Sequence, residues 1–227
     1  MTPKSDLGLI LAAAGLGARF GSDIPKQFWE LSGRPLYLRA LEPFLDLVVE
    51  AVIVVPAGWE SRVAAQVSSL SFRTSIQIQQ GGSTRQESVF NGLKRLTSDA
   101  KYVLVHDAAR PYVSLGLIES IVGETRKHGA CIPVVPVCDT VKMVKEGEVL
   151  ETIDRHQLFF AQTPQGFESG LLERAFERAW NEGFQGTDES SLVENLGEPV
   201  RVVRGETGNL KVTWSADLRL SDLGISK

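Results

Sequence analysis

The sequence predicts a doubly wound α/β fold, a mostly parallel sheet flanked by helices, with a protruding β-hairpin arm. Three observations carry this. Short β-rich runs alternate along the chain with segments of helical period. The first run, Leu7 to Ala14, is apolar throughout, as in a strand buried on both faces, and breaks into Gly15, Gly17 and Gly21. Over residues 140–153 the alternation changes. T-V-K-M-V and V-L-E-T-I are split by K-E-G-E with no helix between them, which is a hairpin pattern.

The elements follow in order. Pro35 to Leu47 reads as the first helix, with Leu36, Leu38, Leu41, Phe44 and Leu45 as its apolar stripe. Ala51–Val55 is a buried strand closed by Pro56. Glu60–Leu70 is a helix, and Ile76–Ile78 is a short strand ending at Gly81-Gly82. Gln86–Leu96 is helical, and Tyr102–Val105 is a central strand with His106-Asp107 at its carboxyl end. Leu115–His128 is a helix stopped by Gly129. Ala130–Val137 carries Pro133 and Pro136, so it reads as an edge strand or one that bends out of the sheet. After the hairpin come a helix over Ser169–Asn181 and a second one capped by Thr187-Asp188 that runs to Leu196. Pro199–Arg204 is the last strand. Asn209–Thr213 is a short extension before a C-terminal helix near Ala216–Leu223.

With 227 residues the chain suits a single domain spanning residues 1–227, with residues 138–157 as an arm. A hydrophobic content of 43% and a charged content of 23% are ordinary for a globular protein. The net charge of −4 argues against a nucleic-acid partner. Cys131 and Cys138, in an apolar run without other ligands nearby, read as buried thiols of a reducing compartment. The sequence shows neither a leader pattern nor an apolar stretch of membrane-spanning length, so no membrane is expected and the location is expected to be cytoplasmic.

The glycine loop carries the first chemical signal. Glycines let backbone N–H groups approach a ligand closely, and successive N–H groups form an anion-binding concavity. Arg19 and Lys26 beside it point to a polyphosphate. The spacing is G-x-G-x-x-x-G, one residue longer than the dinucleotide fingerprint. The strand A-V-I-V-V-P lacks the acid that a dinucleotide ribose needs, and no G-K-[ST] triplet closes the loop. A glycine-rich turn with two solvated cations is the alternative.

A-A-A-G-L-G-A-R-F-G followed by P-K-Q-F resembles the signature loop of nucleotidyltransferases that activate sugar or polyol phosphates. With V-H-D-A-A-R-P, G-G-S-T-R-Q-E-S and N-L-K-V-T, the chain is most similar to the 2-C-methyl-D-erythritol 4-phosphate cytidylyltransferase family, over roughly residues 7 to 220. The resemblance implies a Rossmann-like sheet, CTP and a polyol phosphate as substrates, Mg²⁺ as cofactor, and a homodimer in which the arm completes the neighbour's site.

Open α/β sheets bind ligands outside the carboxyl ends of their strands. The loops Gly15–Lys26, Gly81–Ser88, His106–Pro111 and Thr207–Lys211 gather there, bringing Arg19, Lys26, Arg85, Arg110 and Lys211 around a single acid, Asp107. Several cations about one carboxylate suit a metal–triphosphate. Asp107 either holds the metal or caps its turn. A phosphate monoester nucleophile needs no base, so His106 reads as structural. By resemblance, Arg19 and Lys26 steady the α-phosphate, and Lys211 positions the acceptor phosphate. Thr140 and Arg155, at opposite ends of the hairpin, hold that phosphate from the neighbouring subunit. For Arg155 a surface ion pair with Asp154 or Glu151 is the alternative. Ala13, Ala14, Gly15, Gly17, Ala108 and Arg110 fall at substrate-binding positions. Gly82 and Ser88 fall in the cytosine-recognition loop, where position 83 is Ser although some relatives carry Asp. Thr163 and Thr187 bind the polyol or cap turns.

The expected reaction is in-line attack of the acceptor phosphate on the α-phosphorus of CTP, releasing pyrophosphate without a covalent intermediate. The rival readings are a cytidylyltransferase for another polyol phosphate, such as ribitol 5-phosphate, and a non-catalytic nucleotide-binding module.

Overall fold

A computed structural model describes residues 6–15, 24–70, 72, 74–97, 100–214 and 217. Its centre is a sheet ordered β10-β7-β11-β6-β1-β4-β5, with β12 paired to β7. The strands are β1 (Leu7–Ala12), β4 (Glu50–Val55), β5 (Ser75–Gln80), β6 (Tyr102–Asp107), β7 (Ala130–Pro136), β10 (Phe159–Ala161), β11 (Gln165–Glu168) and β12 (Arg201–Arg204). The pairs β1–β4, β1–β6, β4–β5 and β7–β12 are parallel, whereas β10 and β11 run against their neighbours. A two-residue pair, β2 (Glu30–Leu31) and β3 (Arg34–Pro35), lies outside this sheet.

The sheet is covered on both faces, as the apolar runs dictate. Leu7, Leu9 and Leu11 face one layer with Ala51, Ile53 and Val55, while Ile10 faces the other with Val52, Val54, Val103 and Val105. This is the period-two alternation of a strand, with both sets of side chains buried. Helices α1 (Leu36–Leu41), α2 (Glu60–Ser68) and α4 (Leu115–His128) supply the first layer. Helices α3 (Arg85–Leu93), α5 (Ser169–Glu182) and α6 (Glu189–Asn195) supply the second. Two cap signals hold: Asp188 accepts from Ser191 N–H, and Gly129 ends α4 at φ +84°. Ser114 and Thr84 cap their helices as well, accepting from Leu117 N–H and Glu87 N–H.

Three expectations need correction. The first helix stops at Leu41 and passes into a 3-10 turn over Glu42–Phe44, because Pro43 cannot donate to the turn before it. β7 is an interior strand, held by β11 and β10 on one side and by β12 on the other. Pro133 is tolerated there because its missing N–H faces the gap where the partner changes from β11 to β10, and its carbonyl accepts from Gln162 N–H at 2.8 Å. Cys138 is exposed, and only Cys131 is buried. Residues 209–213 run as an extension without strand pairing, and the C-terminal helix expected near Ala216–Leu223 lies outside the described residues except for Asp217.

The arm forms as read. β8 (Val141–Lys145) and β9 (Glu148–Ile153) make a separate two-stranded antiparallel sheet. Glu146 and Gly147 turn it with φ values of +50° and +86°, the left-handed pair of a two-residue hairpin. Met143, Val144, Val149 and Leu150 are exposed on it, as are Phe159 and Phe160 at the sheet margin.

Candidate active site

The parallel strands end together, and the register puts the site there. Ala12 pairs with both Val54 and Asp107, so the loops after β1, β4 and β6 leave the sheet side by side. Ala13 N–H donates to Val54 O, and Ala108 N–H to Ala12 O. Gly81 follows β5 so closely that a Cβ there would lie 2.5 Å from Ala14 Cβ and 2.8 Å from Ser88 Oγ. Only glycine lets the G-G-S-T loop sit against the end of β1.

Asp107 is buried amid three cations. Lys211 Nζ lies 2.7 Å from its Oδ2, Arg110 Nε 3.7 Å from Oδ2, and Arg85 Nη2 3.5 Å from Oδ1. Burial pushes the Asp107 pKa up, but Arg85, Lys211 and Arg110 outweigh it and hold the carboxyl well below the usual range. Arg110 is buried too and anchored by a bond from Nη1 to Asn209 O at 2.8 Å. Arg85 is anchored differently. Its two terminal nitrogens fork onto the oxygens of Glu189, at 2.7 and 2.9 Å.

Lys26 reaches the same place from the other end of the chain. Its ammonium donates to Val212 O at 2.7 Å, while Val212 N–H donates to Ala109 O at 2.8 Å. One residue thus draws Lys26 and Lys211 towards the turn that follows Asp107. The backbone holding Lys26 is itself fixed. Gln27 Nε2 donates to Ala13 O and Gly15 O, and Phe28 stacks on Trp59 with centroids 4.0 Å apart and planes at 5°.

Beneath Asp107 lies a closed relay. Its N–H donates to Thr163 Oγ1 at 3.0 Å, that oxygen lies 3.0 Å from His106 Nδ1, and His106 Nε2 lies 3.1 Å from Arg110 O. Burial pushes the His106 pKa down to about 4, so the ring is neutral. Both ring nitrogens have partners, and the reading of His106 as structural fits this geometry. Asn209 adds a bond from Nδ2 to Thr163 O at 2.8 Å.

The structure therefore gathers Lys26, Asp107, Arg110 and Lys211, with Ala13, Ala14, Gly15 and Ala108 at the neighbouring strand ends. Arg19 and Gly17 lie outside the described residues. Gly82 N–H donates to Ser88 Oγ at 3.0 Å, and Ser88 in turn donates to Thr84 O at 2.7 Å, so this pair shapes its own loop. Ser83, where some relatives carry Asp, donates both N–H and O–H to Glu87 Oε2, each at 2.7 Å. The Thr163 hydroxyl is engaged within the chain, which favours its turn-fixing alternative. Thr187 is exposed, next to the Asp188 cap. Thr140 and Arg155 sit exposed at the base of the hairpin, where the Arg155 guanidinium donates to Cys138 O rather than to Asp154 or Glu151. No described contact joins them to Asp107 within one chain.

Sequence reasoning missed Gln27, Asn209, Glu189 and the carbonyl of Val212. Backbone acceptors and buried amides leave no spacing to read. Among the described residues no group of three or more His, Cys, Asp or Glu side chains converges. The donor set fits a hard divalent ion that takes one carboxylate from the protein and its other oxygens from a bound polyphosphate. It does not fit a metal caged by the protein alone.

The family model described as IspD, 2-C-methyl-D-erythritol 4-phosphate cytidylyltransferase, matches residues 7–226. Proteins of that name from Symbiobacterium thermophilum and Acidobacterium capsulatum are 41% and 42% identical, covering 96% and 94% of this chain and 92% and 94% of their own. The fold matches the crystal structure of the Thermus thermophilus cytidylyltransferase with a TM-score of 0.80 at 33% identity, over 95% of this chain and 96% of that one. The Francisella tularensis structure matches with a TM-score of 0.82 at 32% identity, over 96% and 99%.

Proposed function

Because the chain belongs to the 2-C-methyl-D-erythritol 4-phosphate cytidylyltransferase family, we propose that the basic ring around Asp107 is where CTP and 2-C-methyl-D-erythritol 4-phosphate meet. The reaction transfers CMP to the acceptor phosphate and gives 4-diphosphocytidyl-2-C-methyl-D-erythritol and pyrophosphate. The observation that carries the assignment of the site is the convergence of Lys211, Arg110 and Arg85 on one buried carboxylate beside the strand ends, with Lys26 held next to Lys211 by Val212 O.

The base enters the loop of Gly82 and Ser88, against Ala13 and Ala14. The triphosphate follows the amides after β1, including Gly15 and Gly17, with Ala108 and Arg110 on its far side. Lys26, with its ammonium oriented by Val212 O, and Arg19 stabilise charge on the α-phosphate as the acceptor oxygen adds and pyrophosphate departs. Lys211 has a long flexible stem and an exposed side chain, so it can leave Asp107 for the acceptor phosphate. Asp107 would hold Mg²⁺ together with phosphate oxygens, and the ion, when bound, supplies charge neutralisation at the phosphorus under attack. The acceptor phosphate is already an anion, so no side chain has to remove a proton, and neutral His106 is compatible with that.

A second copy of the chain completes the site in this reading. The exposed Val144, Val149, Leu150, Phe159 and Phe160 offer an apolar face for a homodimer, and the arm would carry Thr140 and Arg155 to the neighbour's acceptor phosphate. Thr187 borders the polyol, and Thr163 supports the site from below. Residues 1–227 act as one nucleotidyltransferase domain with residues 138–157 as its arm. The free cysteines suit the reducing cytoplasm. No helix of the described residues is long and apolar enough to cross a membrane.

The test is pyrophosphate release with CTP and Mg²⁺ across a panel of polyol phosphates. 2-C-methyl-D-erythritol 4-phosphate should turn over at least tenfold better than ribitol 5-phosphate. Equal rates, or release without any acceptor, would sink the assignment.

A further inference from the structure

Glu189 opens α6 and is only 1% exposed, and both oxygens of its carboxylate accept from a single partner. That partner, Arg85, has two acids in reach. It forks onto Glu189 at 2.7 and 2.9 Å and stands 3.5 Å from Asp107 Oδ1. A guanidinium bonds best when two parallel N–H groups meet two carboxylate oxygens, and here Glu189 takes that geometry while Asp107 receives the looser contact. Of the three cations around Asp107, Lys211 is on a flexible, solvent-facing stem and Arg110 is turned towards Asn209 O. Arg85 is half-buried, fixed by its fork and close enough to close over Asp107 as a forked pair, and Glu189 occupies that fork.

We propose that Glu189 is a positioning residue that sequesters the Arg85 guanidinium and thereby keeps Asp107 open to a divalent cation carried in with the nucleotide. The inference rests on the reading of Asp107 as the metal-holding carboxylate. It assigns a purpose to an ion pair with a buried carboxylate, a kind of pair that is often no better for stability than apolar replacements. Without the Glu189 charge, Arg85 pairs with Asp107 in full, and a divalent ion has to displace a half-buried guanidinium and approach its uncompensated charge.

The test is Mn²⁺ binding in the presence of CTP, followed by electron paramagnetic resonance, on the full chain and on variants whose fold is checked by circular dichroism. Glu189→Gln should weaken Mn²⁺ binding at least tenfold and leave acceptor-phosphate affinity within twofold. The double variant Arg85→Gln/Glu189→Gln, which buries no unpaired charge, should return Mn²⁺ binding to within threefold of the parent. Should the single variant fail to fold, the double variant carries the test, and a tenfold loss in it overturns the proposal. A Glu189→Gln chain that binds Mn²⁺ as the parent does, while Asp107→Asn binds it poorly, also overturns the proposal. If Asp107→Asn binds Mn²⁺ normally, the metal reading of Asp107 falls first and takes this one with it.

Discussion

Replacing Thr163 by valine removes one hydroxyl and keeps the shape of the side chain. In the folded chain that oxygen accepts from Asp107 N–H at 3.0 Å and lies 3.0 Å from His106 Nδ1. Arg110 O, 3.1 Å from His106 Nε2, can only accept, so Nε2 bears the ring proton and Nδ1 receives the threonine proton. Valine leaves one buried N–H and one buried ring nitrogen without partners. Each such orphan costs about 1–3 kcal/mol, so Thr163→Val should lower the unfolding free energy by about 2–6 kcal/mol. Thr163→Ser keeps the hydroxyl and loses one methyl, a change worth about 1 kcal/mol. Denaturant unfolding at pH 7 measures both, with an unchanged slope showing that the unfolded state is the same. A loss under 1 kcal/mol for the valine variant, or a serine variant that falls as far, would refute the relay. Nitrogen chemical shifts of His106 give an independent check of the proton on Nε2.

Lys26→Ala should lose about 10²–10³ in turnover with its melting curve unchanged, because it removes one charge-stabilising contact; near-normal turnover would remove Lys26 from the reaction. Gly81→Ala places a Cβ 2.5 Å from Ala14 Cβ and 2.8 Å from Ser88 Oγ, so the KM for CTP should rise at least tenfold; an unchanged KM would count against the loop's place in the site. Folded His106 titrates at about 4 against an ordinary 6.5, so between these values the unfolded chain binds more protons. Stability from this group is complete above pH 6.5 and declines by roughly 3 kcal/mol as the pH falls to 4, a dependence that His106→Asn should flatten. Val149→Lys together with Leu150→Lys should shift sedimentation towards a monomer and lower turnover; a dimer of unchanged mass and rate would count against the arm.

The parts of the molecule written in local pattern were legible in advance. Leu7–Ala12 and Ala51–Val55 are apolar runs that only a two-sided sheet can bury, and Asp188 and Gly129 announce their helix ends chemically. The short strands Phe159–Ala161 and Gln165–Glu168 were not anticipated, because three or four residues carry no period and their reversal depends on pairing with β6 and β7. Pro133 argued for an edge until the neighbouring strand was seen to change at that very residue. At the site, Asp107 and the cations could be read from spacing. The preference of Arg85 for Glu189 over Asp107 could not, since it is settled by distances across 104 residues of chain. Arg155 and Thr140 stand exposed at the base of the hairpin, and their role was read from resemblance alone.

The bond between Lys26 and Val212 O links positions 186 residues apart. A ribosome that has made the first strand and even Asp107 has therefore not yet made the acceptor that holds Lys26. That carbonyl, and Lys211 beside it, join the strand ends only when the segment near residues 209–213 has emerged and folded over what was built first.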